Sequence, residues 1–301
     1  MISVIILTFN SIRFIRTCLD SVFAQDHRDI EVIVVDNGST DGTVGFIEKS
    51  YPQVMLIKNK NNKGACKARN QGIAVAAGKF VLTLDCDVAL EKDFISHVKK
   101  TIDRSEGRIG MVAPKILNDD KKSIYSAGIY LSKARKFYDI GKGQLNNGQF
   151  SRENHVFGPC SAAALYRREM LEGIAVDGEC FDEAFFFLVE DVDIAWRAQR
   201  KGWKAVFCPM AVCCHHGNSS KTDKKLRQYL CFRNRYYSMI KNKDLPGYSR
   251  NIIYLLVYDA PRLLYLILTN PYTFKAIKEI GRFLSDNSSQ GHKKCYSSNL
   301  S

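Results

Sequence analysis

A short apolar run that ends in two aspartates constrains this chain more than any other feature. Residues 80–87 read Phe-Val-Leu-Thr-Leu-Asp-Cys-Asp, which is typical of a buried strand followed by a turn. Open α/β sheets bind their ligands at the carboxyl ends of their strands. Asp85 and Asp87 would therefore face a cleft, where they could hold a divalent cation and its phosphate ligands. The alternative is that both aspartates only form the turn.

The composition is that of a soluble protein with an excess of positive charge. The chain has 301 residues, 46% of them hydrophobic, and a net charge of +13. This charge favours anionic partners such as nucleotides, phospholipid surfaces or nucleic acid, without choosing among them. Ten cysteines without zinc-type spacing predict reduced thiols. The N-terminus predicts a first strand rather than a signal peptide, so we expect a cytoplasmic protein.

Apolar, β-branched runs alternate with segments of helical spacing in the N-terminal part of the chain. Strands are predicted at residues 4–7, 31–35, 54–57 and 80–84, with a helix at 15–24. This alternation predicts an α/β fold with a Rossmann-like, mostly parallel sheet flanked by helices. Residues 115–158 are polar and contain glycines, which indicates short strands and mobile loops that cover the cleft.

A second group of acidic residues lies at the predicted start of a helix. An aromatic segment at 181–187 precedes residues 190–203, whose spacing is helical and which begin with Glu190 and Asp191. Carboxylates at a helix N-terminus also interact favourably with the helix dipole, which is a sufficient structural reason for them. These residues are therefore either catalytic candidates or helix-stabilising groups.

Two adjacent histidines follow another predicted strand. The strand is expected at residues 206–214, and His215 and His216 come directly after it. Histidines at a strand end can bind a metal, and they also occur on protein surfaces without any role. Both readings stay open at this point.

The C-terminal part of the chain has a different character. Residues 223–284 are predicted to form a basic and aromatic helical extension, and the polar residues 285–301 a disordered tail. Asp259, Pro261 and Arg262 interrupt the apolar run at 251–268, which makes it a poor membrane span. Two alternatives remain open: a helix that lies in the interface of an anionic membrane, or helices packed onto the domain.

Several short motifs occur in the order and spacing of one known family. They are Thr8-Phe-Asn10, residues 34–41, Asn62-Lys-Gly64 with Ala68-Arg69-Asn70, Asp85-Cys-Asp87, and Glu190-Asp191 with Arg197 and Gly202-Trp203. Together they resemble the family 2 glycosyltransferases with the GT-A fold. The resemblance implies a glycosyltransferase domain at 1–222, with a nucleotide-binding half at about 1–110 and an acceptor half at about 111–222.

The resemblance also implies a donor site at the strand ends. In the family, the loop after the first strand and the aspartate after the second hold the nucleotide base and the ribose. The matching donor residues in this chain are Thr8, Asn10, Asp36, Asn62, Arg69 and Asp85. The resemblance further implies a site for Mg²⁺ or Mn²⁺ formed by Asp87, Asp85 and His215, with His216 as an alternative ligand.

The implied reaction is an inverting, metal-dependent sugar transfer in polysaccharide or glycan biosynthesis. Asp191 would be the general base, and Glu190 would orient the acceptor or Asp191 itself. Residues 158–168 and 227–235 resemble the bacterial and archaeal branch that includes rhamnosyltransferases. We therefore expect a dTDP- or UDP-sugar donor, with rhamnose first, and a glycan or polyprenyl-linked acceptor. The enzyme is expected to lie on the cytoplasmic face of the cell membrane.

Two other functions compete with this interpretation. A sugar nucleotidyltransferase also uses paired aspartates, but it needs a glycine-rich basic signature after the first strand, which residues 8–13 lack. A basic nucleic-acid-binding protein is suggested by the pI of about 9.2 and by the Arg-, Lys- and Tyr-rich region 224–243. The sequence contains no recognised nucleic-acid module, so we expect no nucleic-acid partner.

Overall fold

The computed structural model describes residues 1–104, 108–217, 222–242 and 245–296. The chain divides into two compact units. Unit 1 comprises Met1–Tyr130 and Phe137–Lys221, and unit 2 comprises Leu131–Lys136 and Thr222–Ser301. The division into a nucleotide-binding half at about 1–110 and an acceptor half at about 111–222 stays a prediction.

In chain order, the strands are β1 Ile2–Thr8, β2 Ile30–Asp36, β3 Met55–Lys58, β4 Phe80–Asp85, β5 Val88–Leu90, β6 Ile109–Asn118, β7 Ile124–Ser126, β8 Ile129–Leu131, β9 Phe137–Asp139, β10 Asn154–Val156, β11 Ala163–Arg167 and β12 Lys204–His215. The helices are α1 Ile15–Phe23, α2 Thr43–Ser50, α3 Ala65–Val75, α4 Phe94–Arg104, α5 Arg168–Ile174, α6 Glu190–Arg200, α7 Lys224–Asn242, α8 Leu245–Arg250, α9 Ile252–Thr269 and α10 Thr273–Tyr296, and a short 3-10 turn covers Glu183–Phe185.

A mixed sheet forms the centre of unit 1. Its main path has the strand order β10-β12-β6-β11-β4-β1-β2-β3, while β5 pairs with β12 and β7 with β6. The half that contains β3, β2, β1 and β4 is entirely parallel, as the alternation of strands and helices predicted. The other half is mixed because β11 runs antiparallel to both β4 and β6. The α/β fold class is confirmed, and the continuous run of parallel strands lies in one half, while the other half contains the parallel pair β6 and β12 beside antiparallel ones.

The apolar runs of the sequence become the strands that are covered on both faces. Every residue of β1 is buried, as is the apolar part of β4, because helices lie against both sides of a parallel sheet. Helix α1 buries Ile15, Cys18, Leu19 and Val22, which follow the spacing of one helix face. This packing fixes the strand ends from which the candidate site is built.

Seven of the nine cysteines described with their side chains are buried, and these serve packing. Nine cysteines are described with their side chains, and none of these forms a disulfide. Cys86, between the two aspartates, belongs to the main hydrophobic core, and its Sγ lies 2.9 Å from Ser11 Oγ. Burial raises the pKa of the Cys86 thiol to about 12, so it stays protonated and inert.

The described part of unit 2 contains helices α7 to α10 and the segment Leu131–Lys136. The buried Arg235 on α7 donates from Nη1 to Asp259 Oδ1 on α9 at 2.7 Å, and from Nη2 to the carbonyl oxygen of Ala134 at 2.6 Å. Arg233 on α7 pairs with Glu279 on α10 at 3.1 Å. Asp259 interrupts the apolar sequence of α9, and its charge is neutralised by Arg235 inside unit 2.

Two helices of the C-terminal part extend past the signals in the sequence. α9 continues through Asp259, Pro261 and Arg262 to Thr269, with Asp259 paired to Arg235. α10 runs to Tyr296 without a proline that would stop it, and the disordered tail at 285–301 stays a prediction. Residues 297–301 of the predicted tail lie outside the described residues.

Candidate functional site

The site is built on the carboxyl ends of three neighbouring strands. The parallel register pairs Thr8 with Asp36 between β1 and β2, and Leu7 with Asp85 between β1 and β4. Thr8 and Asp36 are buried, and Asp85 is partly exposed. The structure thus brings together three of the residues that the sequence assigned to the donor site. This edge is the usual ligand edge of an open α/β sheet.

The loops after β1 and β2 hold each other in place. Asp36 Oδ2 accepts hydrogen bonds from the backbone N–H groups of Gly38 at 3.0 Å and Ser39 at 2.9 Å, whereas its buried Oδ1 has no hydrogen-bond partner. Asn10 Oδ1 accepts from Thr40 N at 2.8 Å, and Asn10 N donates to Ser39 Oγ at 2.8 Å. Asp36 therefore keeps one carboxylate oxygen available beside this loop pair.

Asp85, Asp87 and His215 form a metal-type group, that is, a group of side chains that could hold a metal ion. One ligand atom from each residue lies within 4.8 Å of the others. His215 Nε2 is 3.2 Å from Asp87 Oδ1, and both side chains are buried. Burial lowers the pKa of His215 most, but the hydrogen bond to Asp87 and the nearby charges raise it above its usual value.

The donor set fits Mg²⁺ or Mn²⁺. Two carboxylates and an imidazole are acceptable ligands for Mn²⁺, and carboxylates are the ligands that Mg²⁺ prefers. A cation with metal–ligand distances of about 2.1 Å brings its ligand atoms within roughly 4.2 Å of each other. Small side-chain rotations that exchange the His215–Asp87 hydrogen bond for the ion would achieve this.

The two adjacent histidines have different positions. His215 belongs to the metal-type group, whereas His216 Nδ1 lies 2.6 Å from Asp119 Oδ1 and its ring lies against Phe14. Alternation of side chains at the end of β12 sends them to opposite sides. Of the two alternatives, the geometry therefore favours His215 as the ligand.

Arg69 connects the metal-type group to the acidic start of α6. It lies on α3, is buried, and donates from Nη1 to Glu190 Oε1 at 2.5 Å and from Nη2 to Asp85 Oδ1 at 3.2 Å. Nη2 also lies 3.4 Å from the carbonyl oxygen of Ser161. Both terminal nitrogens are thus engaged by protein groups. Direct contact of Arg69 with a nucleotide stays a prediction, while its contacts within the protein position two carboxylates.

Asp191 lies next to Glu190 in the first turn of α6. Its Oδ1 accepts from Val192 N at 2.9 Å, and its Oδ2 is 3.5 Å from Ser161 N. Burial, followed by the negative charges of Glu190 and Asp139, raises the pKa of Asp191 to about 7. A carboxylate with such a pKa can accept a proton at neutral pH. The buried Glu190 Oε2 has no hydrogen-bond partner.

The segment that leads into α6 has an unusual backbone. Phe186, Leu188 and Val189 have φ angles of +63°, +69° and +70°, a region that costs β-branched and bulky residues energy. Gly64, with φ +85°, packs so closely against this segment that an added Cβ would lie 2.5 Å from the Phe186 carbonyl oxygen. The turn before α3 and the strained segment before α6 therefore fit together only with glycine at position 64.

Asn62 shapes this same turn. Its Oδ1 accepts from Gly64 N at 2.9 Å, and its side chain is exposed. This contact accounts for Asn62 in the Asn-x-Gly motif without a nucleotide. Its assignment to the donor site stays a prediction.

Three residues near the site were not predicted as site residues. Asn37 donates to the Gly64 carbonyl oxygen at 3.1 Å, and Asn70 exchanges two hydrogen bonds with the backbone of Phe181. The ring of Tyr125 contacts the ring of His215, with centroids 4.3 Å apart. Asn37 and Asn70 lie inside motifs that were recognised, so they could have been found. Tyr125 lies in a polar stretch with no periodicity to single it out.

The Glycosyl transferase family 2 model matches residues 3–174. This chain belongs to glycosyltransferase family 2. It is 29% identical over 180 residues to the glycosyltransferase GlyA of Streptococcus pneumoniae, a match that covers 58% of this chain and 26% of GlyA. It is 31% identical over 176 residues to an uncharacterized glycosyltransferase of Nostoc, covering 58% of this chain and 52% of that protein. These matches span less than two thirds of either relative.

A third relative matches along more of its length. The N-acetylglucosaminyl-diphospho-decaprenol L-rhamnosyltransferase of Mycobacterium tuberculosis is 28% identical over 247 residues, covering 72% of this chain and 76% of that protein. The family match is to glycosyltransferases, which disfavours the sugar nucleotidyltransferase alternative.

Two solved structures share the fold. The mannosyltransferase PcManGT from Pyrobaculum calidifontis, in complex with GDP-Man and Mn²⁺, has a TM-score of 0.58 and 18% identity, over 98% of this chain and 84% of its own. Staphylococcus aureus TarS 1–349, in complex with UDP-GlcNAc, has a TM-score of 0.58 and 20% identity, over 95% of this chain and 79% of its own. The fold is GT-A, as the motifs implied.

Proposed function

We propose that this chain is an inverting, metal-dependent glycosyltransferase that transfers a sugar from a dTDP- or UDP-sugar to a glycan or lipid-linked acceptor. The observation that carries the proposal is the connected group of acids at the strand ends. Asp85, Asp87 and His215 lie within 4.8 Å of one another, and Arg69 links Asp85 to Glu190 beside Asp191. A donor site and a candidate base are thus joined in one constellation.

The donor half of the site would bind the nucleotide through the strand ends. The free oxygen of Asp36 can accept the N3–H of uracil or thymine, which supports a UDP- or dTDP-sugar. Thr8, Asn10, Asn62 and Arg69 complete the proposed donor residues. Asp85, Asp87 and His215 would hold Mg²⁺ or Mn²⁺, which supplies charge neutralisation for the leaving diphosphate.

Asp191 is the proposed general base. Its pKa of about 7 allows it to take a proton from an acceptor hydroxyl at neutral pH while the sugar is displaced in line with inversion. Glu190, held by Arg69, would orient the acceptor through its remaining oxygen. The backbone N–H of Ser161 lies 3.5 Å from Asp191 Oδ2, on the side of the base away from Val192 N.

The similarity to a rhamnosyltransferase that acts on a decaprenol-linked sugar supports a rhamnose donor and a polyprenyl-diphosphate-linked acceptor. Among the described residues, α9 is a helix that is both long enough and apolar enough to cross a membrane, with a mean hydropathy of 1.6 over 18 residues. Ile253, Val257 and Leu268 on α9 are each at least 70% exposed. With Asp259 neutralised by Arg235, this face suits a location on the cytoplasmic face of the membrane.

Ligand-dependent stability tests the donor site. Thermal unfolding is measured with UDP, dTDP, GDP and CDP, each with Mn²⁺ and with EDTA, since ligands that bind the native state raise its stability. We expect stabilisation by UDP or dTDP only with the metal. Stabilisation by GDP alone would refute the base preference. A nucleotide response that is equal with EDTA would refute the metal site.

Vesicle flotation tests the membrane location. The full chain is mixed with vesicles of neutral lipid or with vesicles that contain anionic lipid, and we expect flotation only with the anionic ones. The double substitution Ile253→Ser with Val257→Ser removes exposed apolar side chains and should abolish flotation. The matched control is Tyr130→Ser, an exposed aromatic of unit 1. Flotation that survives the double substitution would refute this role of α9.

A further inference from the structure

A loop near the metal-type group carries a lysine to which the proposed mechanism gives no role. Ile140–Gly143 follows β9, and its backbone is held by hydrogen bonds from Ile140 N to Gly128 O and from Gly143 N to Ile124 O, both 2.8 Å. Gly141 has φ +76°, and an added Cβ would lie 2.6 Å from the Phe150 ring. The loop is therefore fixed at both ends and closely packed.

The lysine of this loop, Lys142, is placed by two contacts. Its Nζ lies 2.9 Å from Asp139 Oδ2 and 4.6 Å from the centroid of the Tyr125 ring. The Tyr125 ring in turn meets the His215 ring edge-on at 4.3 Å. Tyr125 therefore contacts both the lysine and a residue of the metal-type group.

The ammonium group remains accessible in this arrangement. The side chain of Lys142 is 56% exposed, whereas that of Asp139 is 19% exposed. An exposed ion pair contributes little to stability, so a doubly charged phosphate group could replace Asp139 as the partner of Lys142 at small cost. Lysine is also a common phosphate ligand because it acts as a compact positive charge.

The alternative reading is a lysine that only solvates the surface, as most exposed lysines do. Its position argues against that reading. The Lys142 Nζ lies against the Tyr125 ring, and that ring meets the His215 ring edge-on, so one aromatic side chain joins the ammonium group to the metal-type group.

We propose that Lys142, supported by the Tyr125 ring, forms a phosphate-binding subsite beside the Asp85–Asp87–His215 group. The inference rests on the proposed function, because only a phosphorylated substrate would occupy such a subsite. The phosphate has two sources: the diphosphate of the nucleotide-sugar donor, or the diphosphate of a lipid-linked acceptor. Loss of the charge should weaken binding of the phosphate-bearing molecule about tenfold, the usual effect of losing one hydrogen bond to a charged group.

Two variants and a control isolate the charge. Lys142→Gln removes it, Lys142→Arg keeps it, and Lys122→Gln removes a charge from another exposed lysine of unit 1 as the matched control. Calorimetry measures the binding of UDP with Mn²⁺, of UDP with EDTA, and of farnesyl diphosphate to protein saturated with UDP and Mn²⁺. Equal unfolding temperatures of the four proteins confirm that each is folded.

Each outcome decides the inference. If Lys142→Gln is the one variant that binds UDP more weakly, the subsite belongs to the donor. If Lys142→Gln binds farnesyl diphosphate more weakly but binds UDP normally, the subsite belongs to the acceptor. If the wild-type protein binds UDP with Mn²⁺ and Lys142→Gln weakens neither ligand, the inference is overturned while the proposed function stands. If the wild-type protein binds no nucleotide under any condition, both are overturned.

Discussion

Replacing Asp191 with asparagine should stabilise the folded protein while abolishing sugar transfer. Asparagine keeps the shape of the side chain and removes the charge whose burial raises the pKa from 3.8 to about 7. A pKa unit corresponds to about 1.4 kcal/mol, so the ionised carboxylate costs at most roughly 4 kcal/mol of stability. Partial exposure reduces this cost, and the lost interaction with the α6 dipole, roughly 0.3–1 kcal/mol, opposes the gain. We expect a net stabilisation of about 1–2 kcal/mol at pH 8.

The pH dependence of this effect follows from the direction of the shift. Because the pKa of Asp191 is higher in the folded protein than in the unfolded chain, the folded protein binds the extra proton between the two pKa values. This group therefore makes the wild-type protein lose stability as the pH rises from about 4 to about 7, and Asp191→Asn removes that loss. The advantage of the variant should grow over this window and stay constant above it.

Urea unfolding at pH 5.5, 6.5 and 8 measures the difference, alongside sugar transfer and nucleotide binding. The matched control is Asp193→Asn, in the same helix turn, whose buried carboxylate pairs with Arg197 Nε at 2.8 Å. The free energy of unfolding of that variant should be lower by about 3–5 kcal/mol, because the substitution breaks a buried ion pair. A variant Asp191→Asn that is less stable than the wild type at pH 8, or that transfers sugar at the wild-type rate, would refute the reasoning.

Three further predictions follow from the contacts of the site. Asp87→Ala should abolish the Mn²⁺-dependent stabilisation by UDP or dTDP while the unliganded protein stays folded, and an unchanged response would show that the metal lies elsewhere. Arg69→Met should cost about 3–5 kcal/mol in urea unfolding, because it leaves buried Glu190 without its partner, and a neutral effect would contradict the bridge. Gly64→Ala should cost about 2–4 kcal/mol through its positive φ and its clash with Phe186, whereas Gly45→Ala, with open space around it, is the control.

The parallel half of the fold could be predicted from the sequence because its signals are local. Apolar β-branched runs, helical spacing and turn residues alternate, and that alternation dictates parallel strands with helices between them. The antiparallel course of β11 was not predictable in the same way. The segment Ala163–Arg167 has the composition of a buried strand, and nothing within it specifies the direction of its neighbours.

In the site, too, local sequence signals were predictable and long-range contacts were not. The common location of Asp36, Asp85 and Asp87 was predictable because the first two end recognisable strands and Asp87 lies two residues after one. The link from Arg69 to Glu190 joins residues that are 121 positions apart, so no local pattern reports it. Lys142 and Tyr125 come from the polar stretch without periodicity, where only the folded chain shows which side chains meet.

The charges of the assembled site support the proposed cation. Arg69 is shared between Glu190 and Asp85, so neither carboxylate is fully neutralised by it. Its single charge is therefore already balanced before Asp87 and Asp191 are counted, which leaves a negative excess. Burial raises the pKa of Asp191 most, and the charges of Glu190 and Asp139 raise it further. A divalent ion at Asp85, Asp87 and His215 would remove the excess on the donor side. In the proposed mechanism, Asp191 would keep its position beside Ser161 and would meet an acceptor hydroxyl rather than the ion.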